Sequence, residues 1–410
     1  MRKDLMTLVA VLALTSCSSD SLVGESPVNN EAPIAFTVSQ RNTTRATFES
    51  EGRYNFGVWA YKTDGTTPQN VMNHYLVGYA NGTVGYDKSG VSTGTWFYEG
   101  LGKDEYSSSK TGLEASSSSV NSKQYLRYWD YSYGSTIFYA YAPYNNEVKS
   151  DEIYKIEVPA TVNKGGTSIE SEFVYAGNNV AKASYNNSVS LKFKHLGAKV
   201  NLKFYEDVAG YKVQLIDVKD ANSAIQLTPA KFNETGSSYE SASLYTAYSA
   251  VIDFSTNMET PTVSVKSGTT PTSSSANLKF DLPAAEDLPT TSNDAAASTT
   301  TYYSVDQTEN SETGFTLHVS FKLIAEDNSE EIIVRDARVF VPAPQVMWAS
   351  NKAYTYTFKI TTDANGTTDP TDANIDPTSP NVPSDKALHP IVFDNITIED
   401  YTAVSSESNI

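Results

Sequence analysis

Phe315, Leu317, Val319, Phe321 and Leu323 alternate with Thr316, His318, Ser320 and Lys322, so one side of this stretch is apolar and the other polar. A period of two marks a strand with one face buried, because successive side chains of extended backbone point to opposite faces. The pattern returns at Tyr54, Phe56, Val58 and Ala60, at Leu191, Phe193 and His195, and at Tyr354, Tyr356, Phe358 and Ile360. Few sustained runs of helical spacing compete with it, and 27 Tyr with abundant Thr, Val and Ser strengthen the strand preference. One cysteine in 410 residues excludes an internal disulfide, so burial and sheet hydrogen bonds must hold the fold. That length exceeds one compact core and predicts two all-β domains.

The N-terminus reads as an export signal. Arg2 and Lys3 precede an apolar run, Leu5 to Leu14, too short to span a bilayer as a helix. The run closes on Leu14-Thr15-Ser16-Cys17, which resembles the lipobox of bacterial lipoproteins. That resemblance implies cleavage before Cys17 and a diacylglycerol on its thiol. The other reading is an ordinary signal peptide with a chance cysteine near its end. No later apolar run is long enough to span a membrane, so membrane contact is expected through Cys17, where two acyl chains anchor stably. Removing residues 1–16 takes away Arg2, Lys3 and Asp4 and moves the net charge from −18 to −19. Charge of this sign repels nucleic acid and anionic headgroups, so neither is an expected partner.

Pro33 to Val38 alternates apolar residues at Ile34, Phe36 and Val38 and predicts the first strand. The polar stretch Ser39 to Thr47 follows, and its Arg45-Ala46 bond sits where an exposed loop would be nicked. Tyr125 to Tyr144 is the densest aromatic segment, and Pro143 ends its strand. A second domain is expected from Ser188, with the phase slip at Leu196-Gly197 read as a β-bulge. The polar turn Glu326 to Glu330 predicts a hairpin, and Trp348 to Ile360 closes the domain. Residues 361–388 are Asp, Thr, Asn and Pro with almost nothing apolar, a linker. One more apolar stretch begins at Ile391, with Phe393, a phase change after Asp394, then Ile396 and Ile398. The expected layout is a leader (1–16), a lead with the first strand (17–45), two domains (46–187 and 188–360), the linker and a terminal strand (389–410).

Several of these stretches together resemble the fimbrillins, two-domain lipoprotein subunits of type V pili. They are the Leu14–Cys17 lipobox, the Arg45-Ala46 junction, Phe56 to Tyr61, Phe138 to Pro143, Leu191 to Val200, Trp348 to Ile360 and Pro390 to Tyr401. The resemblance implies tandem β-sandwich domains of transthyretin-like topology on an outer-membrane lipoprotein that moves into a cell-surface fimbrium. It also implies an arginine-specific cut after the first strand in stalk subunits. The vacated groove then accepts a strand from the next subunit, as β-addition allows. On this reading Cys17 carries lipid, Arg45-Ala46 is cut, and Ile391, Phe393, Ile396, Ile398 and Tyr401 form the donor strand. Partners would be other fimbrial subunits, outer-membrane lipid and a surface ligand on host or bacterial cells, with no cofactor. Tip and anchor members need not be cut, Arg45 can be a plain surface arginine, and the terminal strand can pair in cis or in trans. A surface lipoprotein binding glycans through Trp96, Trp129 or nearby tyrosines is the second reading, although aromatics in sheets are more often core.

Motifs of enzyme chemistry are absent: no His-Glu-x-x-His, no Gly-x-Ser-x-Gly and no phosphate-cradling Gly-Lys-Ser/Thr. Of the four histidines, His318 falls on a polar face and reads as solvated, while His195 falls on an apolar face and reads as core; His74 and His389 stand apart. Asp363, Asn365, Asp369, Asp372, Asn374 and Asp376 do not have the spacing of an EF-hand loop and read as a solvated linker rather than a calcium site. The chain reads as a structural protein, not an enzyme.

Overall fold

The computed structural model describes residues 32–40, 53–80, 91–101, 124–161, 163–167, 173–216, 225–233, 235, 238–361, 366–367, 387–388 and 391–400. Every regular element among them is a strand or a short 3-10 turn. The first sheet holds β1 (Phe36–Gln40), β2 (Asn55–Thr63), β3 (Gln69–Tyr79), β4 (Trp96–Phe97), β5 (Ser135–Ala142), β7 (Val174–Ala181) and β8 (Val189–His195), while β6 (Lys155–Val158) lies outside it. Its order is β1-β8-β7-β5-β2-β3-β4, antiparallel throughout except that β1 runs parallel to β8. Four steps separate β1 from β2, roughly 19 Å across a flat sheet. Yet the Phe36 and Phe56 rings lie 5.6 Å apart, so the sheet rolls around a shared core and β1 closes over it.

The second half is a sandwich. One layer holds β9 (Ala198–Asp207), β18 (Ala296–Ala297), β19 (Tyr302–Ser304), β22 (Lys352–Thr361) and β25 (Ile391–Asp400). The facing layer holds β10 (Tyr211–Ile216), β11 (Ile225–Asn233), β12 (Ser238–Ser241), β17 (Leu278–Phe280), β20 (Gly314–Ala325) and β21 (Glu331–Val341), with β23 (Gly366–Thr367) and β24 (Ala387–Leu388) at its edge. Val200, Leu202 and Phe204 from one layer meet Phe315, Leu317, Val319 and Phe321 from the other, the alternation legible in the sequence. Trp348 bridges the layers, its Nε1 donating to the Tyr356 hydroxyl at 2.6 Å. The expected hairpin across 326–330 is present, joining β20 to β21, with Asn328 in the left-handed region at φ 56°.

A third unit joins the halves. β14 (Ala250–Asp253) pairs with β15 (Thr262–Val265) on one side and with β6 on the other, and β13 (Leu244–Ala247) pairs with β16 (Thr272–Ser274) nearby. Ile252 and Phe254 thereby pack against Trp59, Tyr139, Tyr141 and Tyr175, which face away from Phe36. This explains the run Ile137 to Ala142, where all six residues are buried: both faces of β5 are covered, so neither is polar.

Four expectations are corrected. The boundary near Ser188 falls too early, since β8 belongs to the first sheet and pairs with β1 and β7. Leu196-Gly197 is not a bulge within one strand but the step between β8 and β9, which lie in different sheets and cores. The phase slip had the right position and the wrong cause. Part of the expected linker pairs, Thr367 with Arg335 and with Ala387. His318 is not solvated: its Nδ1 lies 2.7 Å from Asp336 Oδ1, and the Arg338 guanidinium also bonds that carboxylate. His195 is buried, as expected of a core histidine.

Burial opposes ionisation of Asp336, but the bonds from His318 and Arg338 outweigh it and hold the carboxyl below its ordinary 3.8. A depressed value in the fold stabilises at pH above 3.8, and that contribution disappears as pH falls through the lower folded value. The urea midpoint of the native protein should therefore drop more steeply than that of an Asp336→Asn variant as pH falls below 3.8. Equal slopes would show that the ion does not contribute.

Candidate functional site

The first strand is the outermost strand of its sheet and yet fills the core. Ile34 and Phe36 are buried, and Phe36 meets Phe56, Tyr98 and Phe138 edge-on at 5.6, 5.9 and 5.9 Å. On one side β1 takes its ladder from β8, and Val189 N donates to Ala35 O at 2.7 Å. On the other side the start of the strand is clasped by residues 127–129. Ile34 N donates to Arg127 O at 2.8 Å, and Trp129 N donates to Ala32 O at 3.1 Å. Tyr98 completes the clasp, its hydroxyl donating to Ile34 O at 2.9 Å and accepting from Arg127 N at 3.1 Å. Burial pushes that phenol up to about 12, so it remains a protonated donor at any ordinary pH. Removing residues 32–40 would leave an apolar trough flanked by unpaired backbone of β8 and of 127–129, a template for another strand.

The opposite side of the sheet is closed to such pairing. Among the described residues, the edge of β3 beyond the two β4 pairs at Gly78 and Tyr79 meets side-chain amides instead of a strand. Leu76 N donates to Gln124 Oε1 at 2.6 Å, and Gln124 Nε2 donates back to Leu76 O at 2.7 Å, as a paired strand residue would. Asn70 Nδ2 caps Met72 O at 3.2 Å. Between them His74 adopts φ 53°, and the register slips opposite Trp59, so the edge is not a continuous straight template. Gln124→Leu should cost on the order of 2 kcal/mol by leaving two buried backbone groups unmatched, and should add a dimer in light scattering. A variant as stable and as monomeric as the parent would show that Gln124 does not guard this edge.

The last strand in chain order, β25, lies at the edge of the β9–β22 layer, antiparallel to β22. The phase change expected after Asp394 is present: the register skips that residue between the Thr357–Asn395 and Phe358–Phe393 pairs. Its apolar residues are unequally buried. Ile391 is buried, Phe393 lies 5.8 Å from Phe358 and is half-buried, Ile396 is half-buried, and Ile398 is 53% exposed. The Lys352–Asp400 ion pair at 2.7 Å closes its exposed end. The strand thus pairs in cis while burying only part of its apolar surface.

Cys17, Arg45, Ala46 and Tyr401 lie outside the described residues. The structure does not bring Ile391, Phe393, Ile396 and Ile398 to β1, since the two strands belong to different sheets. As a sugar platform Trp129 is corrected to a core residue, 1% exposed and stacked on Tyr185 at 4.5 Å, and Trp96 packs on Phe56 and Tyr79. The exposed aromatics of that segment are Tyr125 and Tyr128. Gln124 and Arg127, which clasp and cap, were not singled out, because a polar residue after a serine-rich stretch carries no periodic signal. No group of three metal-ligating side chains occurs among the described residues.

No curated protein matches the chain. Among solved structures it is similar to a fimbrial protein from Bacteroides vulgatus, at 16% identity over 80% of this chain and 94% of that one, TM-score 0.45. It is similar also to the fimbrial anchor protein Mfa2 from Porphyromonas gingivalis, at 8% identity over 90% and 97%, TM-score 0.30. The fimbrillin-like family matches residues 44–377, most of the sequence. The chain therefore belongs to the fimbrillin-like family.

Proposed function

We propose that this chain is a structural subunit of a surface fimbria, exported as a lipoprotein on Cys17 and built into the fibre by exchange of its first strand. Proteolysis at Arg45-Ala46 would separate residues 32–40 from the body, and a strand such as Ile391–Tyr401 of a neighbouring subunit would replace them. The observation that carries this reading is the placement of Ile34 and Phe36: core side chains supplied by the outermost strand, whose loss opens a groove of strand shape. The partial burial of β25 supports its release from β22, and the polar stretch before it gives reach. A contact passed from each subunit to the next does not close on itself and generates a fibre. A role in adhesion follows from exposure of such a fibre at the cell surface.

Intact mass and N-terminal sequencing, on protein sheared from cells and on the lipidated membrane fraction, test the proposal. Sheared material that begins at Ala46 and runs as SDS-resistant multimers supports a polymerising stalk subunit. Protein that all retains acylated Cys17 and stays monomeric overturns the stalk reading and leaves an uncut anchor subunit or a ligand-binding lipoprotein.

A further inference from the structure

Beside the clasp at β1 lies an open cleft of about 280 Å³, which Ile34 of that segment also lines. Its polar and aromatic lining is Lys62, Asn70, Arg127, Tyr128, Trp129 and Asp130. Four features mark it. Trp129 is 1% exposed, yet its indole Nε1–H meets no acceptor, an unsatisfied donor that native interiors rarely keep. Arg127 is exposed in a chain of net charge −18, but its guanidinium joins no carboxylate among the described residues. It is held instead by a bond from Nε to the Tyr75 hydroxyl at 2.8 Å and sits 5.4 Å over the Tyr75 ring, which leaves its two terminal nitrogens as a fixed fork. Tyr128, 47% exposed, lines the same cleft. Lys62 Nζ donates to Asp130 Oδ2 at 2.7 Å while Asp130 Oδ1 accepts from Ser132 N at 3.0 Å, and the remaining ammonium protons suit hydroxyl groups.

We propose that this cleft binds a carboxylated sugar of a surface glycan, with the carboxylate on the Arg127 fork, the ring on Tyr128, and hydroxyls on Asn70 and the Lys62–Asp130 pair. Two cations against one carboxylate select an anion, and a single short cleft beside an aromatic face suits a ring better than an extended chain. An acidic peptide would seek a free strand edge, and the edge of β3 nearby is capped by Gln124 and Asn70. The proposal concerns the chain with residues 32–40 in place, and its binding test does not require fibre assembly.

Calorimetry on the full-length protein with trigalacturonic acid and sialyllactose, against maltotriose and lactose, tests it. At least one acidic sugar should bind with a Kd below about 1 mM, and its neutral counterpart should bind at least about tenfold more weakly. Arg127→Lys keeps the charge but loses the fork, and should weaken binding about tenfold or more. Tyr128→Ala removes an exposed side chain without disturbing the core, and should do the same. In spectra of 15N-tryptophan protein, the Trp129 indole resonance, assigned with Trp129→Phe, should move on saturation. Absence of acidic-sugar binding, binding that both variants leave unchanged, or equal binding of a pentaglutamate peptide would overturn the proposal.

Discussion

Phe36→Ala should lower folding stability by about 3–5 kcal/mol, the range for truncating a buried aromatic side chain. The ring is 5% exposed and makes three edge-on aromatic contacts, each within 5.9 Å. Because β1 is held on its ladder side by β8 alone, the cavity cannot be filled by a shift of a neighbouring strand across it. Urea denaturation followed by tryptophan fluorescence measures the loss. The matching change Phe393→Ala should cost less, about 1–2 kcal/mol, since that side chain is only half-buried. The ordering of the two variants matters more than either value: a larger loss at Phe393 would make β25 the integral strand and β1 the dispensable one, against the exchange proposal. A synthetic peptide of residues 391–401 should bind the Phe36→Ala protein more tightly than the parent, because the resident strand competes less well.

Phe254→Ala should have the second large effect, again about 3–5 kcal/mol. Phe254 is 1% exposed and reaches across from the end of β14 to stack on Tyr139 at 5.7 Å and meet Tyr175 edge-on at 6.3 Å. It fits there only because Gly177 lies beneath. A Cβ on that glycine would come within 2.8 Å of Phe254 Cε1 and would overlap the Met258 carbonyl. Gly177→Val should therefore displace the same hairpin from the opposite side. Thermal melting and limited trypsin digestion read both variants, and cleavage within residues 244–274 should become early in each. Variants that melt like the parent and resist trypsin there would show that the seam between the halves rests on the β6–β14 ladder rather than on these aromatic contacts.

Much of the strand content was legible because period-two alternation reports one buried face directly. Phe56, Val58 and Ala60, the Phe315 to Leu323 run and the Tyr354 to Ile360 run all point inward as the pattern requires. The phase change at Asp394 was legible for the same reason: a bulged residue shifts the alternation of its own strand. Other features were not. The slip at Leu196-Gly197 looks identical in sequence whether a strand bulges or passes into another sheet, since only the partners differ. His318 sits on the outer face, as alternation demands, but its company there is set by Asp336 and Arg338 on the neighbouring strand. The strands between residues 238 and 304, none longer than four residues, lacked enough length for a period to emerge.

Local chemistry therefore determined the all-β class, the apolar alternation of the first strand and the polar stretch before the last strand. Each depends on residues close together in the chain, where periodicity, charge and side-chain size act through neighbours. The tertiary structure alone decided which strands are partners: β8 beside β1, β14 beside β6, β25 beside β22, and Gln124 against Leu76, 48 positions away. Such pairings are chosen by backbone groups that every residue carries alike, so the choice falls to the packing of whole sheets and leaves no mark at any one position.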